Sequence, residues 1–194
     1  MAEATDASEV MEAEVVVTTG IAKVRPTLAN LLRLLGFCII GGIVGAWQYT
    51  FIHLSNGTLE MIGNEMFGLP TALSNEYLVA GYVGHTLFSV VSAIFFGFIM
   101  LLPLKSLLKW DFKRPLNALL GVGWGAIFGV ILYFFGPILF VPAWLQAVGA
   151  PGAPPIGGLL VIDPFGTANL LNFWGHLIFG TMVASTIIYL YRRT

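Results

Sequence analysis

Four apolar stretches, at about residues 28–54, 77–102, 116–140 and 169–191, are each long enough to cross a hydrocarbon core roughly 30 Å thick as a helix. Lipid offers the backbone no hydrogen-bond partner, so a chain built this way has to satisfy its amides within helices or a closed barrel. Runs of more than 20 residues without strand-like alternation select helices. The predicted fold is therefore an all-α integral membrane protein with four transmembrane helices. Charge placement orients it. All nine Lys and Arg residues lie on one side: Lys23, Arg25 and Arg33 at the first span, Lys105, Lys109, Lys113 and Arg114 between the second and third, Arg192 and Arg193 after the fourth. The other two connections, 55–77 and 141–167, carry only Glu60, Glu65, Glu76 and Asp163. By the positive-inside rule both termini are cytoplasmic and the protein is multi-pass in the cell membrane.

Residues 26–194 make up this transmembrane domain. Residues 1–25 precede it as an acidic cytoplasmic tail, with Glu3, Asp6, Glu9, Glu12 and Glu14 close together, expected to be disordered. The tail has neither the basic start nor the apolar run of a cleavable signal peptide. Charged residues are 10% of the chain, against about a quarter in soluble domains, and the net charge is −1, which leaves nothing to attract nucleic acid. The single cysteine, Cys38, falls inside the first span and reads as a small apolar residue.

Prolines mark the predicted ends. Pro26 precedes the first span, Pro103 is expected to stop the second, and Pro137 to kink or end the third. The connections opposite the basic side are too apolar for solvated loops. The first carries Leu59, Met61, Ile62, Met66 and Phe67; the second, rich in Gly and Pro, carries Leu159, Leu160, Val161, Ile162 and Phe165. They either fold over the mouth of the bundle or meet another subunit. Asn56-Gly57-Thr58 matches a glycosylation sequon, a pattern common by chance.

The chain also repeats. Gly84-His85-Thr86-Leu87-Phe88 in the second span returns as Gly175-His176-Leu177-Ile178-Phe179 in the fourth, and Ala93 and Ala184 continue at the same offset. Gly41 and Gly45 of the first span correspond to Gly125 and Gly129 of the third. Each unit holds two crossings, so the fold reads as a parallel repeat of two helix pairs about an axis along the membrane normal. The repeat puts His85 and His176 at one depth, roughly 11 Å below the outer boundary at 1.5 Å per residue. His53 closes the first span on the same side.

Three readings of these histidines follow. His85 and His176 could supply both axial ligands of a haem b, with Gly81, Gly84, Gly175 and Gly180 leaving room for the porphyrin. His53, His85 and His176 could bind copper or zinc near the outer surface. The third reading is packing. Gly81, His85, Ser89, Ala93 and Gly97 make an i, i+4 stripe, as do Asn172, His176, Gly180 and Ala184. Small-residue stripes bring membrane helices close, and polar members hydrogen-bond across the seam. The packing reading is favoured. No basic residue stands on the outer side to pair with haem propionates, and His53 has no counterpart, since Pro137 holds its repeat position.

The spans hold no internal Asp, Glu or Lys, which argues against ion-coupled transport but not against a channel for a small neutral solute. Motifs for nucleotide binding, hydrolysis or metalloproteolysis are absent, which leans away from an enzyme. Gly175-His176-Leu177-Ile178-Phe179-Gly180, its partner at Gly84 to Ser89, and the Pro/Gly-rich connection before the last span resemble the YagU-like group of small membrane proteins. The resemblance implies about four helices and carries over no catalytic residue. The leading expectation is a structural or accessory subunit, contacting lipid and either other membrane subunits or a second copy of itself through its outer loops and small-residue faces.

Overall fold

The computed structural model describes residues 27–55, 58–67, 75–151, 153, 155, 156 and 167–194. The acidic tail, the Asn-Gly of the sequon, and the apolar run 159–165 with Asp163 lie outside the described residues. Among those described, every element is helical.

Helix α1, Leu28–Ser55, starts where the Thr27 hydroxyl accepts the Asn30 amide at 3.3 Å, a side-chain cap for an amide with no partner inside the helix. A single turn, α2, Thr58–Met61, opens into a wide π-helical turn, Ile62–Met66. Then α3, Glu76–Phe95, a second wide turn, Phe96–Leu101, and α4, Leu102–Leu107, follow as one rod. Helix α5, Pro115–Phe135, runs into a third wide turn, Gly136–Phe140, and α6, Val141–Ala147; α7, Thr167–Arg193, ends the fold.

Prolines do not stop the helices where the sequence suggests. The rod passes Pro103 and continues to Leu107. Proline lacks an amide and crowds the carbonyl four residues before it, here that of Ile99, which lies in the wide turn. The looser i→i+5 spacing absorbs both defects, so the helix bends its register instead of ending. Pro137 likewise falls within the third wide turn, and Pro142 follows it, while the chain stays helical to Ala147. At α5 the rule holds in its usual form. Arg114 is extended (φ −76°, ψ 129°), as a residue before proline prefers, and Pro115 takes the first helical position. The Asp111 carboxylate receives the Lys113 amide at 2.9 Å, and its carbonyl receives that of Arg114 at 3.0 Å, tightening the basic turn.

Four helices are long and apolar enough to cross a membrane: Leu28–Leu54, Glu76–Leu107, Pro115–Phe135 and Leu170–Arg193. Their outward faces expose Trp47, Phe51, Leu87, Val91, Leu119, Ile131 and Trp174. Contiguous apolar surface on this scale is untenable in water and ordinary against lipid. Helix α7 packs on both α5 and α1, and α1 packs on α3. Rings close the circuit between the second wide turn and α5, with Phe96 and Phe128 4.9 Å apart. The core runs through Cys38, Phe96, Phe128, Val183 and Ile187, all fully buried.

Basic residues gather at one end, where the Lys105 ammonium sits 3.7 Å from the centre of the Tyr191 ring. At the far end the first connection folds inward. Leu59, Ile62 and Met66 are buried, with Leu145 of α6 packed against the latter two, and the Trp144 indole donates to the Met66 carbonyl at 3.3 Å. The described part of this connection thus packs against α3 and α6 of its own chain.

Candidate functional site

Tyr49 organises the far end of the bundle. It lies on α1 four residues after Gly45, and its ring reaches across to α7 at Gly175, where an added Cβ would run into the ring. The arrangement is reciprocal. A Cβ at Gly45 would lie 2.8 Å from the Phe179 ring, which α7 projects back four residues after Gly175. Each helix thus offers one ring and one glycine notch, and the two lock together. Small residues allow this close approach, and the rings fill what they leave.

All three histidines meet around that tyrosine. His53, one turn further along α1, stacks on Tyr49 with centroids 4.1 Å apart. His85 of α3 stands edge-on to His53 at 4.4 Å and to Tyr49 at 5.7 Å. His176 of α7 is edge-on to Tyr49 from the other side at 5.0 Å. Tyr49, His53 and His85 are buried. His176 is only partly enclosed.

Hydrogen bonds join α1 to α7 here. The Tyr49 hydroxyl contacts His176 Nδ1 at 2.7 Å and the Asn172 carbonyl at 3.0 Å, and it donates to the Asn172 side-chain oxygen. His176 Nδ1 lies 2.8 Å from the Asn172 carbonyl. A carbonyl only accepts, so Nδ1 carries the proton and Nε2, which faces Gly136, is the acceptor. In contrast, Nδ1 of His53 and Nδ1 of His85 are buried without a partner.

His85 and His176, far apart in the chain, both bring their rings within 6 Å of the Tyr49 ring. The sequence places His85 in a buried seam of Gly81, Ser89, Ala93 and Gly97, which holds. The room expected for a porphyrin is taken, however. A Cβ at Gly81 would strike the Leu59 carbonyl, at Gly84 the Phe67 ring, at Gly175 the Tyr49 ring, and at Gly180 the Gly125 carbonyl. These glycines admit protein. Tyr49 meets the rings of both His85 and His176 edge-on, at 5.7 and 5.0 Å. A copper or zinc site on all three histidines is not assembled, since no group of three ligating side chains lies together among the described residues.

Tyr49 and Tyr133 are the residues the sequence reading passed over. Tyr133 of α5 stands edge-on to His176 at 5.9 Å and 70°, and Tyr49 stands edge-on to His85 at 5.7 Å and 69°. The signal was available. The offset that carries Gly41 to Gly125 and Gly45 to Gly129 also carries Tyr49 to Tyr133.

No family model, no curated protein and no solved structure matches this chain.

Proposed function

We propose that this chain is a structural or accessory subunit of a membrane complex, embedded by four spans with both termini in the cytoplasm. The orientation rests on the one-sided placement of all nine basic residues. The observation that carries the reading is the position of Tyr49. Its ring fills the centre of the polar cluster, and its hydroxyl is engaged by Asn172 and His176. Tyr49, Asn172 and His176 are thereby engaged in holding α1 to α7. Aromatic and aliphatic side chains fill the other end of the bundle at Phe96, Phe128, Val183 and Ile187, which weighs against a solute channel along its axis. What remains for function is the outward surface.

Within this reading the fold is a duplicated helix pair. The near-identical Tyr49–His85 and Tyr133–His176 contacts support it, since each joins the first helix of a pair to the second. Close crossings add to it: Gly125 meets Gly180 on one side, and Gly42 meets Ser89 and Val90 on the other.

The test is native mass spectrometry of the 21.0 kDa chain extracted in mild detergent from its own membrane. Stoichiometric assembly with a different membrane subunit is expected. A species carrying no other polypeptide would reject the accessory role, and a Soret band from the purified protein would reject the packing role of the histidines.

A metal reading survives only in narrower form, on His53 and His85, because both have a buried, unpartnered Nδ1 and their rings lie 4.4 Å apart. Two imidazoles suit a soft cation such as copper(I). Stoichiometric copper in the purified protein, lost in His53→Ala and His85→Ala but kept in His176→Ala, would establish that reading over the first.

A further inference from the structure

At the basic end, α5 and α7 part to leave an open groove of about 650 Å³. Its floor is Ala118 and Ile188, both buried. Leu119, which is exposed, and Val122, which is half-buried, form one wall, and half-buried Ser185 belongs to the other. On α5 the lining residues 115, 118, 119 and 122 share one helical face, and on α7 so do 185, 188, 189 and 192. The groove therefore runs along the helices for two turns, roughly 10 Å at 1.5 Å per residue. Ile188 keeps the helices apart, with its Cδ1 lying 2.6 Å from where a Cβ on Gly121 would be. Between α1 and the second wide turn, Cys38 lies directly on Gly97.

The mouth of the groove is cationic. Arg192 and Arg193 line it, and Arg114 precedes Pro115 at its edge. None of these three forms an ion pair among the described residues. Asp111, in the turn before α5, receives the Lys113 amide on its carboxylate. The first amides of α5 have no acceptor inside the helix and add positive potential at the same point. Tyr189 borders the groove with the Arg193 guanidinium 5.2 Å from its ring centre.

We infer that the α5–α7 groove binds one anionic phospholipid of the leaflet at the basic end, with its phosphate between Arg192 and Arg193 and the start of an acyl chain on Ala118 and Ile188. The apolar length suits a chain lying along the helices, and the unpaired guanidinium groups suit a phosphate, for which arginine's forked donors are matched. A headgroup with net negative charge keeps its whole charge at the mouth, whereas the choline of a zwitterionic lipid would meet the arginines as a like charge. Basic residues that only anchor a helix end at the interface would need no groove. The inference rests on the four-span reading and is independent of any subunit role.

Native mass spectrometry of the full chain in detergent, titrated separately with phosphatidylglycerol and phosphatidylcholine, tests it. One saturable phosphatidylglycerol site is expected, with phosphatidylcholine at least tenfold weaker. Arg192→Gln with Arg193→Gln should weaken phosphatidylglycerol roughly thirtyfold, about fivefold for each arginine. Val122→Phe, which fills the groove without touching charge, should remove the site, and Ser185→Leu should do so from the opposite wall. Equal binding of the two lipids would overturn the inference. So would unchanged phosphatidylglycerol binding in both groove-filling variants, each checked for an unaltered melting temperature, because the arginines would then act as a plain interfacial anchor.

Discussion

Replacing Gly175 by alanine should be the most damaging single methyl addition in the α1–α7 seam. The new Cβ would lie 2.6 Å from Cζ and 2.7 Å from Cδ2 of Tyr49, and closer still to Cε2. Carbon atoms rest about 3.5–4.0 Å apart, so the ring has to retreat by about 1 Å or more. It is not free to do so. Its hydroxyl is held at 2.7 Å by His176 and at 3.0 Å by Asn172, and a retreat of that size takes both contacts past the range of a hydrogen bond. Overpacking costs about 1–3 kcal/mol, and each lost interhelical bond about 0.6–2 kcal/mol. Alanine's better helix propensity returns up to about 1 kcal/mol. The expected net loss is about 2–4 kcal/mol, read from SDS-titrated unfolding in mixed micelles. Gly123→Ala is the control, since nothing lies within 4 Å of its Cβ position, and it should be neutral or mildly stabilising. Tyr49→Ala removes the obstacle, so Gly175→Ala should cost little in that background. The double-mutant cycle should give a coupling of about 2 kcal/mol. If Gly175→Ala behaves like Gly123→Ala, or if Tyr49→Ala fails to relieve it, the interlocked seam is wrong.

Tyr49→Phe keeps the ring but loses the hydroxyl, and should cost about 0.6–2 kcal/mol in the same titration, with no effect expected on the rate of labelling of Cys38. His85→Gln should be milder than His85→Leu, because a branched chain beside the rings of His53 and Tyr49 overpacks the seam by about 1–3 kcal/mol; the reverse order would contradict a packing role. Gly81→Ala pushes on the Leu59 carbonyl, so amide exchange should rise across residues 58–67 well before global unfolding, and uniform exchange through the chain would mean that this segment is not docked there. Cysteines at Glu60 and Pro151 should react with an impermeant maleimide on intact cells and one at Ser106 should not, while native Cys38 is fully buried and silent; the opposite pattern would invert the topology.

The four spans were legible because lipid leaves the backbone so few choices: a charge-free run of the right length has to be a helix, whatever its side chains pack against. Their ends were less so. A proline removes one amide and crowds one carbonyl, and the sequence does not say whether the chain answers by stopping or by widening a turn. At Pro103 and Pro137 it widens, within Phe96–Leu101 and Gly136–Phe140, and the helices run on. Where α5 begins, the extended Arg114 and the short basic turn behind it followed the local rule.

Glycine carried the opposite lesson at the site. A glycine beside a histidine says only that something comes close, and the sequence left open whether that something is a cofactor face or another part of the chain. The filler at Gly175 is Tyr49, more than a hundred residues away in sequence, and the filler at Gly81 is a backbone carbonyl that no side-chain pattern encodes. The proposed duplication makes a claim about register. If two helix pairs descend from one, a residue that packs on a histidine in the first pair should have its equivalent on the equivalent histidine in the second. Tyr49 on His85 and Tyr133 on His176 meet that condition in both distance and angle. On the proposed duplication, departures from symmetry would mark where the two halves differ. His53 stands where the other half has Pro137, and it is His53 that brings a third imidazole to Tyr49. Tyr133 turns instead to Phe173, leaving the second pair with one histidine and an apolar neighbour. On that proposal the polar cluster is an addition on the α1 side of the bundle, and substitutions there should separate the two halves in stability where a strictly symmetric pair would lose both alike.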